Sequence, residues 1–363
     1  MAESTSILNT ASLEFLERYL NNASPTGYES GGQKLWMEYL KPYVDDFITD
    51  AYGTAVGVIN PDADYKVVIE GHADEIGWYV NHITEKGLIY VLRNGGSDHQ
   101  IATSKRVHIH TVKGVVEGVF GWPAIHTRTP NNEKAPTKDN IFVDIGADSK
   151  EEVEAMGVHP GCVLTYPDEF SVLNENKFVC RAIDNRIGGF MIAEVARLLH
   201  ERDERPDFGL YIVNSVQEEV GLKGASMIAE RLAPDVAIVT DVTHDTSTPM
   251  IEQTTHGSIK IGDGPVIAYA PAVQNRLREH LVSAAQNAEI PFQRQARAPA
   301  TGTDTDAFAY SNQGVPSALI ALALRYMHTT VEMVHRDDVE NVIRLMYEGV
   351  KRIPNGERFS YFD

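Results

Sequence analysis

The sequence predicts an α/β protein with a mixed, largely parallel sheet, helices on both faces of that sheet, and a small inserted β-barrel domain. Over most of the 363 residues, apolar runs of strand length alternate with amphipathic stretches of helical spacing, as in sheets whose strands are joined by crossover helices. Residues 78–166 instead contain short β-rich runs separated by Gly, Pro and Asn turns. We therefore expect one α/β domain made of residues 1–77 and 167–363, and an inserted β domain at 78–166.

The elements of the α/β domain follow from their apolar spacing. Helices are predicted at 13–20 and around 33–40, on either side of the break Ser24-Pro25-Thr26-Gly27. A further amphipathic helix is predicted at 188–200, and the stripe Val339, Val342, Leu345 and Met346 indicates core. Buried strands are predicted at 65–70, 209–216, 236–240 and 317–324.

The insertion contains four clear strand candidates, with alternating or continuous apolar residues between turns. Residues 127–139, which contain Pro and Lys, predict a mobile loop within it. The strand candidates are residues 87–92, 106–112, 114–120 and 141–145.

Composition and charge exclude several classes of partner. A net charge of -19 disfavours nucleic acid and anionic membranes, because both would repel the protein at long range. No apolar stretch is long enough to span a bilayer. The start has neither a basic leader nor an apolar h-region, and the two cysteines, Cys162 and Cys180, form no disulfide framework. We therefore expect a cytoplasmic protein.

Glu218 and Glu219 follow the largely apolar run 209–216, with only Gln217 between them and the run. Neighbouring carboxylates at a strand end point in different directions, so one can hold a metal ion while the other meets a reacting water. An acidic doublet in a loop is by itself more often solvated surface. The remaining candidates decide between these interpretations.

Other candidate ligands also stand next to predicted strands. His72 follows the strand at 65–70, and Asp74 is placed to hold the other nitrogen of its ring. Asp241 follows the strand at 236–240, and His328 follows the strand at 317–324. Asp184 precedes the helix at 188–200, where a carboxylate can cap the helix or bridge two cations.

The joint pattern predicts a metal centre. The carboxyl ends of parallel strands meet at one crevice, and three carboxylates gathered there would repel one another without cations. A set of two histidines and three carboxylates suits a pair of zinc, cobalt or manganese ions. His108 and His110 share one strand face but have no third ligand nearby. His244, His256 and His335 stay open as candidates.

Several motifs, in order and spacing, resemble the tetrahedral or glutamyl aminopeptidases, a family of cytosolic metallopeptidases with two co-catalytic metal ions. The resemblance extends through nearly the whole chain and implies an α/β catalytic domain with an inserted β domain that helps build the oligomer. The motifs are Ser24-Pro-Thr-Gly-Tyr-Glu, Gly71-His-Ala-Asp-Glu-Ile-Gly, Val107-His-Ile-His-Thr, Val143-Asp-Ile-Gly-Ala, Arg181-Ala-Ile-Asp-Asn-Arg, Gln217-Glu-Glu-Val-Gly-Leu-Lys-Gly-Ala, Thr240-Asp-Val-Thr and Leu324-Arg-Tyr-Met-His.

The resemblance also implies a role for each candidate. One metal would be held by His72, Asp184 and Asp241, and the other by Asp184, Glu219 and His328. Glu218 would be the general base and acid, and Asp74 the partner of His72. Substrates would be peptides, and the assembly a dodecamer that encloses its active sites.

The chain departs from the family pattern at two places. The family's Ser-Pro-Val-Glu run after its last histidine appears here as Thr329-Thr-Val-Glu332. Its Gly-Thr-Asp-Ala element appears as Gly302-Thr-Asp-Thr-Asp-Ala, so either Asp304 or Asp306 could be the equivalent, and Ala307 favours Asp306.

Three rival functions stay open. An N-acyl amino acid deacylase or a carboxypeptidase would use a similar metal crevice on the same architecture. A glycoside hydrolase would use two carboxylates without metal. A non-catalytic oligomeric binding protein would have lost the chemistry, which the full ligand set argues against. The sequence predicts neither the preferred N-terminal residue nor the identity of the metal.

Overall fold

The computed structural model describes residues 6–129 and 133–362. Within these ranges eight strands form one mixed sheet, six form a closed barrel and three form a small separate sheet. The α/β fold with an inserted β-barrel is therefore confirmed. Before the barrel come α1 (Thr10–Asn21), α2 (Ser30–Leu40), β1 (Asp46–Thr49), β2 (Ala55–Ile59) and β3 (Lys66–His72).

The barrel follows directly, and the chain then returns to the large sheet. The barrel elements are β4 (Gly77–Ile83), β5 (Ile89–Asn94), α3 (His99–Ala102), β6 (Arg106–Thr111), β7 (Gly114–Gly121), β8 (Phe142–Asp144), α4 (Lys150–Ala155) and β9 (Val163–Thr165). After the barrel come β10 (Ser171–Leu173), β11 (Lys177–Cys180), α5 (Ile183–Glu201), β12 (Gly209–Ser215), α6 (Lys223–Leu232), β13 (Val236–His244), α7 (Gln253–His256), β14 (Val266–Tyr269), α8 (Asn275–Asn287), β15 (Gln293–Ala296), α9 (Asp304–Ala309), β16 (Ser317–Leu324), β17 (Glu332–His335) and α10 (Arg336–Lys351).

The large sheet has the strand order β1-β2-β12-β3-β13-β16-β14-β15. Its central strands β12, β3, β13 and β16 are mutually parallel, whereas β1, β2 and β14 introduce the antiparallel pairs. All residues of β12 and β16 are buried, because parallel strands covered on both faces need apolar side chains throughout. The carboxyl ends of these central strands therefore meet at one edge.

Two groups of helices cover this sheet. Helix α5 packs with α1, α2 and α10 and contacts β3 and β13, while α6 and α9 pack together against β12, β13 and β16. Helix α5 approaches β3 closely, because a Cβ on Gly71 would lie 2.7 Å from the carbonyl carbon of Gly188. None of the helices in residues 6–129 and 133–362 is long and apolar enough to cross a membrane.

The barrel closes in the order β4-β5-β8-β7-β6-β9 and encloses its own apolar core around Trp78, Ile109 and Leu164. The predicted strands at 87–92, 106–112, 114–120 and 141–145 correspond to β5, β6, β7 and β8. Residues 133–139 of the predicted loop form no helix or strand, and residues 130–132 lie outside the described part of the chain.

Three predicted boundaries change near the carboxyl edge of the sheet. Strand β3 ends at His72 rather than before it. Strand β13 continues to His244, so Asp241 lies inside the strand and does not follow it. Asp184 falls within the bounds of α5 but has non-helical angles, with φ -74° and ψ 114°, so the regular helix begins after Asn185.

Candidate metal centre

The structure brings all five predicted ligands to the carboxyl edge of the central strands. His72 is the last residue of β3. Asp241 lies in the buried part of β13, where it pairs with Ala321 of β16. Glu219 lies in a short 3₁₀ turn, Glu218–Val220, after β12. His328 follows β16, and Asp184 lies in the non-helical start of α5. The prediction that these positions converge therefore agrees with the geometry.

One group of donor atoms is formed by His72, Asp184 and Asp241. The Nε2 atom of His72 lies 3.5 Å from Oδ1 of Asp184 and 4.0 Å from Oδ1 of Asp241. Ligand atoms of the three residues lie within 4.8 Å of one another, and all three residues are buried. A single cation could contact one atom from each.

A second group of donor atoms is formed by Asp184, Glu219 and His328. The Nε2 atom of His328 lies 3.3 Å from Oδ2 of Asp184 and 3.4 Å from Oε1 of Glu219. Asp184 therefore directs Oδ1 toward one group and Oδ2 toward the other. This is the arrangement that a carboxylate bridging two cations requires.

Glu218 lies beside these groups. Its Oε2 atom is 3.8 Å from Nε2 of His72, and the residue lines a cavity of about 490 Å³ together with Asp184, Glu219 and His328. Glu218 can also form a donor group with His72 and Glu219. The geometry alone thus permits either a ligand role or a proton-transfer role for this carboxylate.

Asp74 is fully buried and contacts more than its predicted partner. Its Oδ1 atom is 3.3 Å from Nδ1 of His72 and accepts the backbone N–H of Glu218 at 3.0 Å. Its Oδ2 atom accepts the N–H of Glu219 at 3.2 Å and the hydroxyl of Thr26 at 2.8 Å. Asp74 therefore anchors the backbone of the Glu218-Glu219 turn and lies beside the His72 ring.

Glu332 has a similar role that sequence reasoning missed. Its carboxylate accepts the backbone N–H of Asp184 at 2.9 Å and that of His328 at 2.7 Å, and the residue is 1% exposed. Burial raises the pKa of Glu332, as does the nearby Asp184 carboxylate. The signal was present in the sequence as the last residue of the Thr329-Thr-Val-Glu332 run.

The barrel also contributes to this site. A Cβ on Gly96, which follows β5, would lie 2.4 Å from Nδ1 of His328. A Cβ on the neighbouring Gly95 would lie 3.1 Å from Cβ of Glu219. The barrel backbone therefore packs directly against two of the candidate ligands, which requires residues without side chains at both positions.

Only one of the two aspartates in the Gly302 to Ala307 segment lies beneath the site. Asp304 is buried, and the Ser215 hydroxyl lies 2.6 Å from Oδ2 of Asp304 and 2.6 Å from Oε1 of Glu70, so its one proton can be donated to either carboxyl group but not to both. Asp306 instead accepts the backbone N–H groups of Thr301 and Gly302. The geometry therefore favours Asp304, against the expectation that Ala307 pointed to Asp306.

The electrostatics of the site favour divalent cations. Burial raises the pKa of Glu218 to about 10 and that of Asp241 to about 7. Burial would lower the pKa of His328, but Asp184 and Glu219 raise it to about 11. Glu218 and Asp241 thus hold protons more strongly than free carboxyl groups do, and bound cations would favour their ionised forms. Burial would also raise the pKa of Asp184, but hydrogen bonds from His328 and His72 lower it. The mixed nitrogen and oxygen donors fit zinc, cobalt or manganese.

The other histidines are not part of the donor groups found in residues 6–129 and 133–362. The ring of His110 on β6 lies against Thr165 at 2.8 Å, and His335 accepts a backbone N–H at the start of α10. His244 and His256 line the cavity, where they can contact a substrate.

Comparisons with known proteins bear on this site. A model of the M42 glutamyl aminopeptidase family matches residues 53–345. The lysyl aminopeptidase of Pyrococcus furiosus is 33% identical over 339 residues, which cover 92% of this chain and 94% of that protein. Glutamate and lysine carry opposite charges, so these names do not indicate which N-terminal residue this chain prefers.

Two solved structures of TET peptidases are also similar to this chain. The TET aminopeptidase of the marine sediment archaeon Thaumarchaeota archaeon SCGC AB-539-E09 has a TM-score of 0.89 and 31% identity, covering 94% of this chain and 96% of that chain. The TET1 peptidase of Pyrococcus horikoshii, which can assemble into a tetrahedron or a large octahedral shell, has a TM-score of 0.84 and 26% identity, covering 94% and 100%. The similarity therefore includes both the large sheet and the barrel.

Proposed function

The chain belongs to the M42 glutamyl aminopeptidase family and is a metal-dependent aminopeptidase, and we propose that it uses two adjacent divalent cations and Glu218. The observation that carries this proposal is the orientation of the Asp184 carboxylate, whose two oxygens face two different groups of donor atoms. A solitary metal site would not need a buried carboxylate with both oxygens directed at ligand atoms. The substrates would be peptides with a free N-terminus.

The proposed ligands are His72, Asp184 and Asp241 for one cation, and Asp184, Glu219 and His328 for the other. Two bound divalent cations would polarise the scissile carbonyl group and lower the pKa of water. The proposed cations are zinc or cobalt, with manganese as a further candidate, because the donor set accepts all three.

Glu218 is the proposed general base and acid. Its carboxylate lines the cavity beside the donor groups, and its backbone is fixed by Asp74 at 3.0 Å. Glu218 would accept a proton from the attacking water while the new C–O bond forms. It would then donate that proton to the leaving amine as the C–N bond breaks. Asp74 would act through the turn that it anchors and through the orientation of His72.

Glu218→Gln tests the proton role. The amide keeps the size of the side chain but cannot accept a proton, so we expect normal metal content and a loss of turnover of at least about 10²-fold. Asp184→Asn is the contrasting variant, and we expect it to release metal. Metal content is measured by mass spectrometry and turnover with aminoacyl anilides. Near-normal activity of Glu218→Gln, or loss of its metal, would remove Glu218 from this role.

The substrate terminus that the enzyme recognises separates the aminopeptidase from its rivals. Chelation should abolish hydrolysis of anilides with a free amino group, and added zinc, cobalt or manganese should restore it. Acylation of the amino group should prevent hydrolysis, whereas a deacylase or a carboxypeptidase would tolerate it. Activity that persists after complete chelation would favour a metal-free hydrolase.

We further propose a homo-oligomer of the tetrahedral dodecameric type, built through an inserted domain at residues 78–166. Residues 78–166 leave the apolar side chains of Val112, Val115 and Ile125 94%, 55% and 69% exposed, and their burial between subunits would stabilise an oligomer. Val115→Asp should reduce the particle mass measured by light scattering. Val172→Asp, on the small separate sheet and 49% exposed, is the matched control. A monomeric wild-type protein would overturn this assembly.

A cytoplasmic location is part of the same proposal. Cys162 and Cys180 are both buried and unpaired, as is usual in a reducing compartment. Cell fractionation with an antibody against the chain tests this location, and recovery outside the cytoplasm would contradict it.

A further inference from the structure

A guanidinium group forms part of the wall of the candidate active-site cavity. Arg297 follows β15 and lines the cavity together with Asp184, Asp241 and His328. Its Nε atom donates to Oε1 of Gln295 at 3.0 Å, and Gln295 is held in turn by the hydroxyl of Thr243 at 2.9 Å. The cation is therefore fixed in the wall and is not a freely moving surface side chain.

The remaining contacts of Arg297 are also with neutral groups. Its Nη1 atom donates to the carbonyl of Thr301 at 2.8 Å, and its Nη2 atom donates to the carbonyl of Val242 at 3.2 Å. No ion pair of Arg297 within 4.0 Å is found in the described ranges 6–129 and 133–362. By contrast, Arg325 pairs with Asp245 at 2.7 Å. Asp241, Asp306 and Asp184 act on Arg297 only from beyond ion-pair distance, and its three hydrogen bonds use three of the five N–H donors of a guanidinium.

Cations bound at the proposed metal centre would change the charges that act on Arg297. The proposed ligands Asp184, Glu219 and Asp241 carry three negative charges when ionised, which two divalent cations would offset. Bound cations would therefore weaken the attraction of Asp184 and Asp241 for Arg297, and Asp306, the other carboxylate that acts on Arg297, is already bonded to the backbone N–H groups of Thr301 and Gly302. His244 and His256, which also line the cavity, add neutral or positive polar groups and no negative charge.

We propose that this cavity receives an acidic N-terminal side chain, glutamate or aspartate, and that Arg297 binds its carboxylate. The inference rests on the proposed function, because it places the first residue of the peptide in the cavity beside the metal ligands. It rests on Arg297 and not on the names of relatives, which point to opposite charges. A guanidinium binds a carboxylate in a directed manner that a lysine cannot reproduce.

Isosteric substrates test this proposal. The glutamyl and glutaminyl anilides differ by charge and one donor but have nearly the same shape, as do the aspartyl and asparaginyl pair. We expect kcat/KM for glutamyl anilide to exceed that for glutaminyl anilide by at least about tenfold, because a site built around a polar partner rejects the analogue that lacks it. The lysyl anilide should be the poorest substrate.

Arg297→Gln should reduce the glutamyl to glutaminyl ratio at least about tenfold, and Arg297→Lys should keep part of it. The ratio is read within each variant, so a general loss of activity cancels. Arg294→Gln is the matched control, because Arg294 lies on β15, three residues before Arg297, and donates to the hydroxyl of Tyr269 at 3.0 Å. Binding of free L-glutamate against L-glutamine, measured by calorimetry, should show the same difference without turnover.

The outcomes are distinguishable. A wild-type enzyme that hydrolyses glutaminyl or lysyl anilide as well as glutamyl anilide overturns the inference but leaves the aminopeptidase function intact. An unchanged ratio in Arg297→Gln also overturns it. If Arg297→Gln does not fold, the wild-type ratio and Arg297→Lys still decide. Failure to hydrolyse any anilide with a free amino group would instead contradict the proposed function itself.

Discussion

Asp74→Asn is expected to lower turnover without unfolding the protein. In the native site each carboxylate oxygen of Asp74 faces two donors or potential donors. An asparagine has one carbonyl oxygen, and its NH₂ group must replace the other. If the NH₂ group takes the Oδ2 position, the Thr26 hydroxyl can rotate to accept from it. The backbone N–H of Glu219 cannot rotate and is left facing a donor.

The magnitude follows from that lost bond. A hydrogen bond to a charged group contributes roughly 1.5–3 kcal/mol, and each 1.36 kcal/mol corresponds to about tenfold in rate. We therefore expect kcat/KM to fall about 10- to 150-fold. Metal affinity should fall as well, because the Asp74 carboxylate no longer lies with full charge beside the His72 ring.

The assay combines steady-state hydrolysis of an aminoacyl anilide with metal titration of the chelated protein. Asp338→Asn is the matched control, because Asp338 is also a buried carboxylate that accepts two backbone N–H groups, those of Gly262 and Gly264, but lies outside the donor groups. We expect Asp338→Asn to change Tm and leave kcat and metal affinity unchanged. Asp74→Asn with normal kcat/KM and normal metal affinity would refute the positioning role.

Three further variants test the surroundings of the site. Gly96→Ala should weaken metal binding several-fold, because the new methyl group would lie 2.4 Å from His328; unchanged metal titration would contradict this contact. Glu332→Gln should also weaken metal binding, since its amide can no longer accept both backbone N–H groups that Glu332 binds; a variant that lowers only Tm would indicate a purely structural role. Burial alone would raise the pKa of Asp245, but hydrogen bonds from its neighbours, Arg325 among them, lower it. Its contribution to stability is therefore present above the unfolded pKa of about 3.9 and lost as the pH falls through the folded value. The Tm deficit of Asp245→Asn should be largest near pH 7 and shrink at pH values below about 4, and a deficit independent of pH would count against this ion pair.

The large parallel strands could be predicted because their signal is local. β12 and β16 are continuous apolar runs, and burial on both faces demands such runs. β15, with the sequence Gln-Arg-Gln-Ala, has no such pattern and is a strand only because it pairs with β14. The end of β13 was misplaced for the same reason, since residues 241–244 remain in the strand through their pairing with β16.

The candidate metal ligands could be predicted from strand ends, but the residues that hold these ligands in place could not. His72 and Glu219 follow apolar runs, and the geometry of parallel sheets brings such positions together. Gly96 lies in the inserted barrel, and only the docking of the barrel places its backbone against His328. Asp304 and Asp306 differ by two residues in the same short helix, so only their tertiary contacts separate them.

The supports of the site share one physical principle. Asp74 holds the backbone of Glu218 and Glu219 on one side, and Glu332 holds the backbone of Asp184 and His328 on the other. Both are buried carboxylates that accept hydrogen bonds from backbone N–H groups. These hydrogen bonds hold the ligand-bearing segments in place although the ligand carboxylates repel one another. Because Asp184 faces both donor groups, displacement of its backbone would alter the spacing of both proposed cations. Loss of Glu332 should therefore weaken both sites together, whereas loss of Asp74 should act on each through a different residue, His72 or Glu219.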